Sequence, residues 1–189
     1  MSVFDDLFKS VLQRFLNKTE LTAKFLQYHH RGSCKVPCND CPERDKRIYE
    51  NGNQIPLPAH PHCDCYYTNV ETIAAGTISK RQPDPTTWLK MFGQLPDYYI
   101  TKKEAMDIYG WDNSKNTLAG KAPGKMIGGD IYLNDKNILP QGEGRTWKEC
   151  DIDYINGRRA SGRLYYSNDG LIFYSPDHLY GNVTVYLVE

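Results

Sequence analysis

Thr146-Trp147-Lys148-Glu149-Cys150-Asp151-Ile152-Asp153-Tyr154-Ile155-Asn156-Gly157-Arg158-Arg159 is the stretch whose pattern decides the fold. Trp147, Glu149 and Asp151 fall on one face of a strand, and Lys148, Cys150 and Ile152 on the other, because successive side chains of an extended chain alternate. Asn156-Gly157 then offers the pair of residues best suited to a type I′ turn, so an antiparallel hairpin is expected there. Beyond the turn Arg159, Ser161 and Arg163 recur at the same period. A register that pairs the two faces would set Glu149 beside at least one arginine, and a nearby guanidinium favours the ionised carboxylate.

Working outward, Asn168-Asp169-Gly170 marks another turn, Leu171–Ser175 a third strand, and residues 183–188 a closing strand. Toward the N-terminus the strand period fades near residue 130. Thr101-Lys102-Lys103-Glu104 reads as a capping box, with Gly110 as the helix stop. Leu95-Pro96-Asp97 turns the chain, and Thr86 or Thr87 can cap a short helix bearing Trp88, Leu89 and Phe92. Helices first and antiparallel strands afterwards predict an α+β fold with a twisted antiparallel sheet rather than a βαβ architecture.

Ahead of this lies a different kind of chain. Phe4, Leu7, Phe8, Val11, Leu12, Phe15 and Leu16 have the spacing of an amphipathic helix over 3–16, and a second short helix is expected from Thr19 to about His29. Residues 31–69 read as an irregular cysteine-rich loop. Gly76, Pro83 and Pro85 break the pattern, which places a boundary within 72–85. The expected layout is a helical, cysteine-rich accessory segment over 1–75, a linker with a first helix over 76–94, and the main domain over 95–189.

The composition bounds the function. Of 189 residues 40% are apolar, enough to build a core, and 14 tyrosines with 15 glycines favour strands and tight turns over a helical bundle. The 23 basic and 23 acidic residues cancel, which argues against a broadly basic nucleic-acid surface but leaves room for a local basic cleft. There is no 18-residue apolar run, so no membrane-spanning helix is expected. Met1-Ser2-Val3-Phe4-Asp5-Asp6 lacks the basic and apolar regions of a Sec signal peptide. If the protein leaves its cell, it is expected to do so by another route or as part of a longer chain.

Glu149, His178 and the intervening Arg159 and Arg163 form a set suited to metal-free phosphodiester cleavage. One side chain takes a proton, another gives one, and fixed positive charge stabilises the phosphorane between them. The plain alternatives are a surface glutamate, a turn-capping histidine and a first-turn helix lysine at Lys102. The last sits at the helix end whose dipole disfavours a cation. In the accessory segment, Cys34, Cys38, Cys41, Cys63 and Cys65 gather with His60 and His62 at short spacing. Such thiolates and imidazoles suit a structural tetrahedral zinc. Disulfides are the rival reading, although Cys63 and Cys65 are too close to bridge each other easily.

Several motifs carry a resemblance. Leu95-Pro96-Asp97, Tyr99-Ile100-Thr101-Lys102, Gly110-Trp111, Ala122-Pro123-Gly124-Lys125, Ile127-Gly128-Gly129-Asp130-Ile131, Gly144-Arg145-Thr146-Trp147, Tyr166-Ser167 and Asp177-His178 follow in order over roughly half the chain. This half resembles barnase and the related bacterial extracellular ribonucleases. The resemblance implies an endoribonuclease that needs no catalytic cofactor, with Glu149 as general base and His178 as general acid. It implies Lys102, Arg159 and Arg163 as phosphate-binding cations, Arg145 as a structural partner of Asp169, and Asp151 as a buried partner of the arginines. Asp130, Tyr132, Asn134, Lys136 and Tyr180 fall where the family contacts its substrate. Here the chain departs: the relatives carry Phe-Ser-Asn-Arg-Glu where this sequence has Tyr132-Leu133-Asn134-Asp135-Lys136. The guanine-reading acid is replaced by Lys136 unless Asp135 substitutes for it. A leucine, Leu179, also separates His178 from Tyr180.

A second, shorter resemblance covers residues 30–67. Cys38-x₂-Cys41, Glu43-Arg44-Asp45 and His60-Pro61-His62-Cys63-Asp64-Cys65 are similar to the end of phage Mu F-type head-morphogenesis domains. Together the two resemblances imply a polymorphic toxin from a prophage, a phage-type delivery apparatus, and an acidic barstar-like inhibitor that protects the producing cell. The competing expectations are a catalytically weak RNA- or partner-binding module and a structural phage head-associated protein.

Overall fold

The computed structural model describes residues 23–32, 38–155, 157–180 and 183–189. The expected helix over 3–16, Cys34 and Asn156 lie outside the described residues. The chain divides into two compact units: Met1–Val70 with Ile138–Pro140, and Glu71–Asn137 with Gln141–Glu189.

In the first unit β1 (Phe25–His29) is the middle strand of three, with β2 (Ile48–Glu50) and β3 (Tyr66–Asn69) antiparallel on either side. The helix expected to reach His29 is therefore a strand at its C-terminal end. Phe25, Leu26 and Tyr28 are all buried. A strand covered on both faces shows a continuous apolar run instead of alternation, and such a run resembles a buried helix when read by period. The stretch over 31–69 is also more ordered than its composition suggests, carrying α1 (Asp40–Arg44) together with β2 and β3.

The second unit is α+β. Its sheet takes β4 (Glu71–Ile73), β5 (Tyr99–Ile100), β6 (Met126–Tyr132), β7 (Trp147–Asp151), β10 (Arg163–Ser167), β11 (Ile172–Ser175) and β12 (Tyr186–Val188). The spatial order is β4-β12-β11-β10-β7-β6-β5. The centre is antiparallel as expected, while both edge pairings, β4 with β12 and β5 with β6, are parallel. A separate two-stranded ribbon, β8 (Tyr154–Ile155) with β9 (Arg158–Arg159), encloses the turn at Gly157. Arg159 thus stands on this ribbon, and Arg163 opens the next strand; a break at residues 160–162 separates them.

Three helices precede β6. Helix α2 (Pro85–Phe92) is capped not by Thr86 or Thr87 but by Asp84, whose carboxylate accepts from both threonine N–H groups at 2.9 Å. Pro85 explains the difference: its ring suits the first helical position, which makes the residue before it the cap. Helix α3 (Lys102–Tyr109) has the complete Thr101–Glu104 capping box and ends at Gly110 in the left-handed region. Helix α4 (Leu118–Lys121) is a single turn. Leu89 of α2 packs with Cys150, Ile152, Leu164, Ile172 and Val188 on one sheet face. A second cluster joins Ile100, Ala105, Trp111, Leu118, Ala122 and Ile127. No helix among the described residues is long and apolar enough to cross a membrane.

Candidate active site

Glu149 is placed by a defect in the sheet. Opposite β7, β6 pairs Gly128 with Cys150 but Asp130 with Glu149, so Gly129 is an extra residue, a β-bulge with φ of 95°. Both glycines are required. A Cβ on Gly128 would lie 2.5 Å from that of Cys150, and position 129 needs a positive φ. The bulge sets the Asp130 and Glu149 carboxylates on directly opposed residues.

Lys102 addresses both acids. Its backbone N–H, at the start of α3, donates to Asp130 Oδ2 at 3.0 Å, and its ammonium donates to Glu149 Oε1 at 2.7 Å. Glu149 is 9% exposed. Its cation is thus Lys102 rather than the arginine that strand alternation alone suggests. The arginines both turn to Asp151. Arg159 forms a bidentate pair with it at 2.7 and 3.0 Å, while Arg163 Nε lies 3.0 Å from Asp151 Oδ1, off the line of N–H donation. Arg163 is buried and also donates to the Ala160 and Gly162 carbonyls, whereas Arg159 remains half-buried.

Tyr165 joins the remaining groups. It pairs directly with Glu149 across the sheet, and its hydroxyl lies 3.4 Å from His178 Nδ1. Burial raises the Tyr165 pKa far above the ordinary tyrosine value. The phenol therefore keeps its proton, donating to a neutral imidazole and accepting from an imidazolium. Either way Nδ1 is occupied and Nε2 is the ring nitrogen left for other work. Burial lowers the His178 pKa below its ordinary value, with Arg163 and Arg159 acting in the same direction and Glu149 opposing them. Ser175 accepts the Leu179 N–H and donates to Asp177, which holds the turn that carries the histidine.

The expected substrate-contact residues divide. Tyr132 packs its ring against Tyr165 at 4.6 Å, and Tyr180 stacks on His178 at 5.0 Å while remaining 63% exposed. Asn134 is buried at φ 53°, and its carbonyl closes a turn to Asn137; Lys136 is exposed on that turn. Asp130 is engaged by the N-terminus of α3. Arg145 forms the expected pair with Asp169, with Nη2 at 2.7 Å. An open cleft of about 570 Å³ borders the arginines, lined by Trp111, Lys115, Asn116, Arg158, Arg159 and Arg163 among others; Glu149 and His178 are not in its walls. Tyr165 escaped the sequence reading, although continuing the alternation two residues beyond Arg163 reaches it.

In the first unit, Cys38, Cys41, Cys63 and Cys65 carry free thiols, as does Cys150 in the second. Among the described residues, ligand atoms within 4.8 Å of one another form two groups, His30–Cys41–Cys65 and Cys38–Cys41–His60, either of which could hold a metal ion. His30 thus joins the set expected from sequence, His60 stays in it, and Cys63 and His62 fall outside both groups.

The chain is 50% identical over 91 residues to a ribonuclease of Heyndrickxia coagulans, an alignment covering 48% of this chain and 83% of that protein. Ribonucleases of Bacillus intermedius and Bacillus pumilus are each 50% identical over 91 residues, 48% of this chain and 56% of their own length. No family model matches the chain. Half the residues shared over nearly the whole of a relative is inheritance rather than coincidence: this chain belongs to the bacterial ribonuclease family.

Proposed function

We propose that the second unit is a metal-independent endoribonuclease acting on single-stranded RNA. Glu149 removes the proton of a ribose 2′-OH. The oxygen attacks the adjacent phosphorus, and His178 protonates the leaving 5′-oxygen. The product is a 2′,3′-cyclic phosphate, opened afterwards by water. The observation that carries this reading is the position of Tyr165, opposed to Glu149 in the sheet and in contact with His178. A base and an acid thereby meet at one stretch of the sheet, and an in-line displacement uses them on opposite sides of the phosphorus. Lys102 and Arg159 supply positive charge for the phosphorane. DNA lacks the attacking hydroxyl and is not cut.

Tyr132 and Tyr180 offer aromatic faces for bases, Asn134 and Lys136 form the adjoining turn, and Asp130 holds Lys102 in place. With Lys136 where the relatives carry an acid, guanine is not favoured; Lys136→Glu shifts cleavage toward guanine on a defined RNA. An unchanged cleavage pattern would show that this turn does not read the base. The biological role that fits such an enzyme is a toxin delivered into a target cell by a phage-type apparatus and held in check by an acidic inhibitor.

The test is cleavage of labelled single-stranded RNA in EDTA beside its DNA analogue, for the parent, Glu149→Ala and His178→Ala. RNA-only cutting that ends in a cyclic phosphate and collapses in both variants supports the assignment. A parent that binds RNA without cutting it would favour a binding module instead, and cutting retained by both variants would move the active site elsewhere.

A further inference from the structure

The core of the first unit is unusual in what it contains. One buried cluster there is Tyr28, Cys41 and Cys65, with Cys38 and Cys63 among the residues packed against it. Aliphatic side chains would fill such a space without polar or reactive atoms. Cys41 belongs to both ligand groups, with Cys38 and His60 beside it in one and His30 and Cys65 in the other, so Cys65 shares a group with Cys41 but not with Cys38 or His60. Cys41 Sγ lies 3.3 Å from His60 Nε2, and Cys65 Sγ 3.6 Å from His30 Nδ1. Tetrahedral zinc with its usual bond lengths spaces sulfur and nitrogen ligands about 3.6 Å apart.

The groups behind the ligands are also in place. His60 Nδ1 lies 2.8 Å from the Pro61 carbonyl. A carbonyl can only accept, so Nδ1 carries the proton and the Nε2 lone pair faces Cys41. This is the arrangement that orients metal-bound imidazoles. The Cys41 N–H donates to Cys38 Sγ at 3.4 Å, a bond that favours thiolate at Cys38. The Tyr28 hydroxyl is buried without an aligned partner, and the groups it meets are the Cys41 and Cys65 sulfurs. A phenol left this way is a burden against neutral thiols and a good donor to metal-bound thiolates.

We propose that the first unit binds one structural Zn²⁺ held by Cys38, Cys41 and His60, with Cys65 closing in from the neighbouring group as the fourth ligand and His30 and Tyr28 donating to the bound thiolates. The ion ties α1 to the start of β3 and crosses the sheet at β1, joining segments that the short strands alone hold weakly. Small domains commonly draw part of their folding energy from such a site.

The full chain, purified reduced and without chelator, provides the test. One zinc per chain by elemental analysis is expected, and cobalt exchange should give the intense visible bands of tetrahedral Co²⁺ with a thiolate charge-transfer band. Cys41→Ser abolishes both signals, while Cys150→Ser, in the other unit, keeps them. Should Cys41→Ser prove insoluble, His60→Gln at its half-buried position is read instead and weakens zinc at least about tenfold. A reduced parent carrying no ion or two ions, a weak octahedral cobalt spectrum, a disulfide among these cysteines, or His60→Gln with parental affinity would each overturn the proposal.

Discussion

The two units handle their polar buried groups in opposite ways. In the second, Glu149, Asp151 and Arg163 are buried on a sheet whose folding rests on separate apolar clusters around Leu164 and Ile127. In the first, Tyr28, Cys41 and Cys65 themselves form a buried cluster, beside the apolar Phe25, Leu26, Ile48 and Val70. A polar group in the second unit can therefore be specialised for chemistry, because its neighbours do not depend on it to stay folded. In the first unit the same kinds of atoms carry the structure, so altering them changes folding before it changes anything else. Asp151 is the exception within the second unit: at 1% exposure it faces two arginines.

The sharpest way to break this contrast is at the acid and base. Glu149→Ala and His178→Ala should each lower RNA cleavage by about 10²–10⁴-fold, with melting temperatures near that of the parent. A large loss of stability in either would mean the site is structural after all. Asp151→Ala should do the reverse in emphasis. It strands buried guanidinium charge and lowers stability by about 3–5 kcal/mol, read from denaturant unfolding of the second unit.

A pH profile sharpens the picture further. The imidazolium is the charged form, and burial followed by the two arginines disfavours it, so the His178 pKa lies below 6.5. As the proposed general acid it must be protonated, so kcat/KM should fall about tenfold per pH unit above that lowered value. Substrate phosphate adds negative charge, which moves the same limb to higher pH in kcat. For stability the sign is opposite: the unfolded histidine binds its proton more readily, so His178 makes the fold less stable as pH drops below 6.5. An alkaline limb that survives His178→Ala would assign it to another group. The smallest effect belongs to Asp84→Ala, which removes the α2 cap and should lower stability by about 0.5–2 kcal/mol without changing cleavage per folded molecule.

Much of the second unit was legible because its signals are local. The alternation through Trp147 and Cys150, the hairpin ending at Arg158 and the Thr101–Glu104 box depend on residues a few positions apart, and the structure keeps them. The pairing of charges was not legible. Lys102 and Glu149 are 47 positions apart, and alternation gives the face of a side chain but not its neighbour on the next element. The parallel edges at β4 and β5 were hidden for the same reason, since strands of two or three residues are defined by what they pair with. In the first unit, β1 misled by being buried on both sides, and His30 was missed as a partner of Cys65 because 35 residues separate the two.

The bulge at Gly129 has a consequence for descent. By opposing Asp130 to Glu149, it makes the two acids and Lys102 a single heritable unit. A lineage that loses the lysine leaves two carboxylates facing each other, and one that loses Asp130 frees the helix end that holds the lysine. Drift at one of these positions closes off most paths at the other two, so positions 102, 130 and 149 should change together across related chains or not at all.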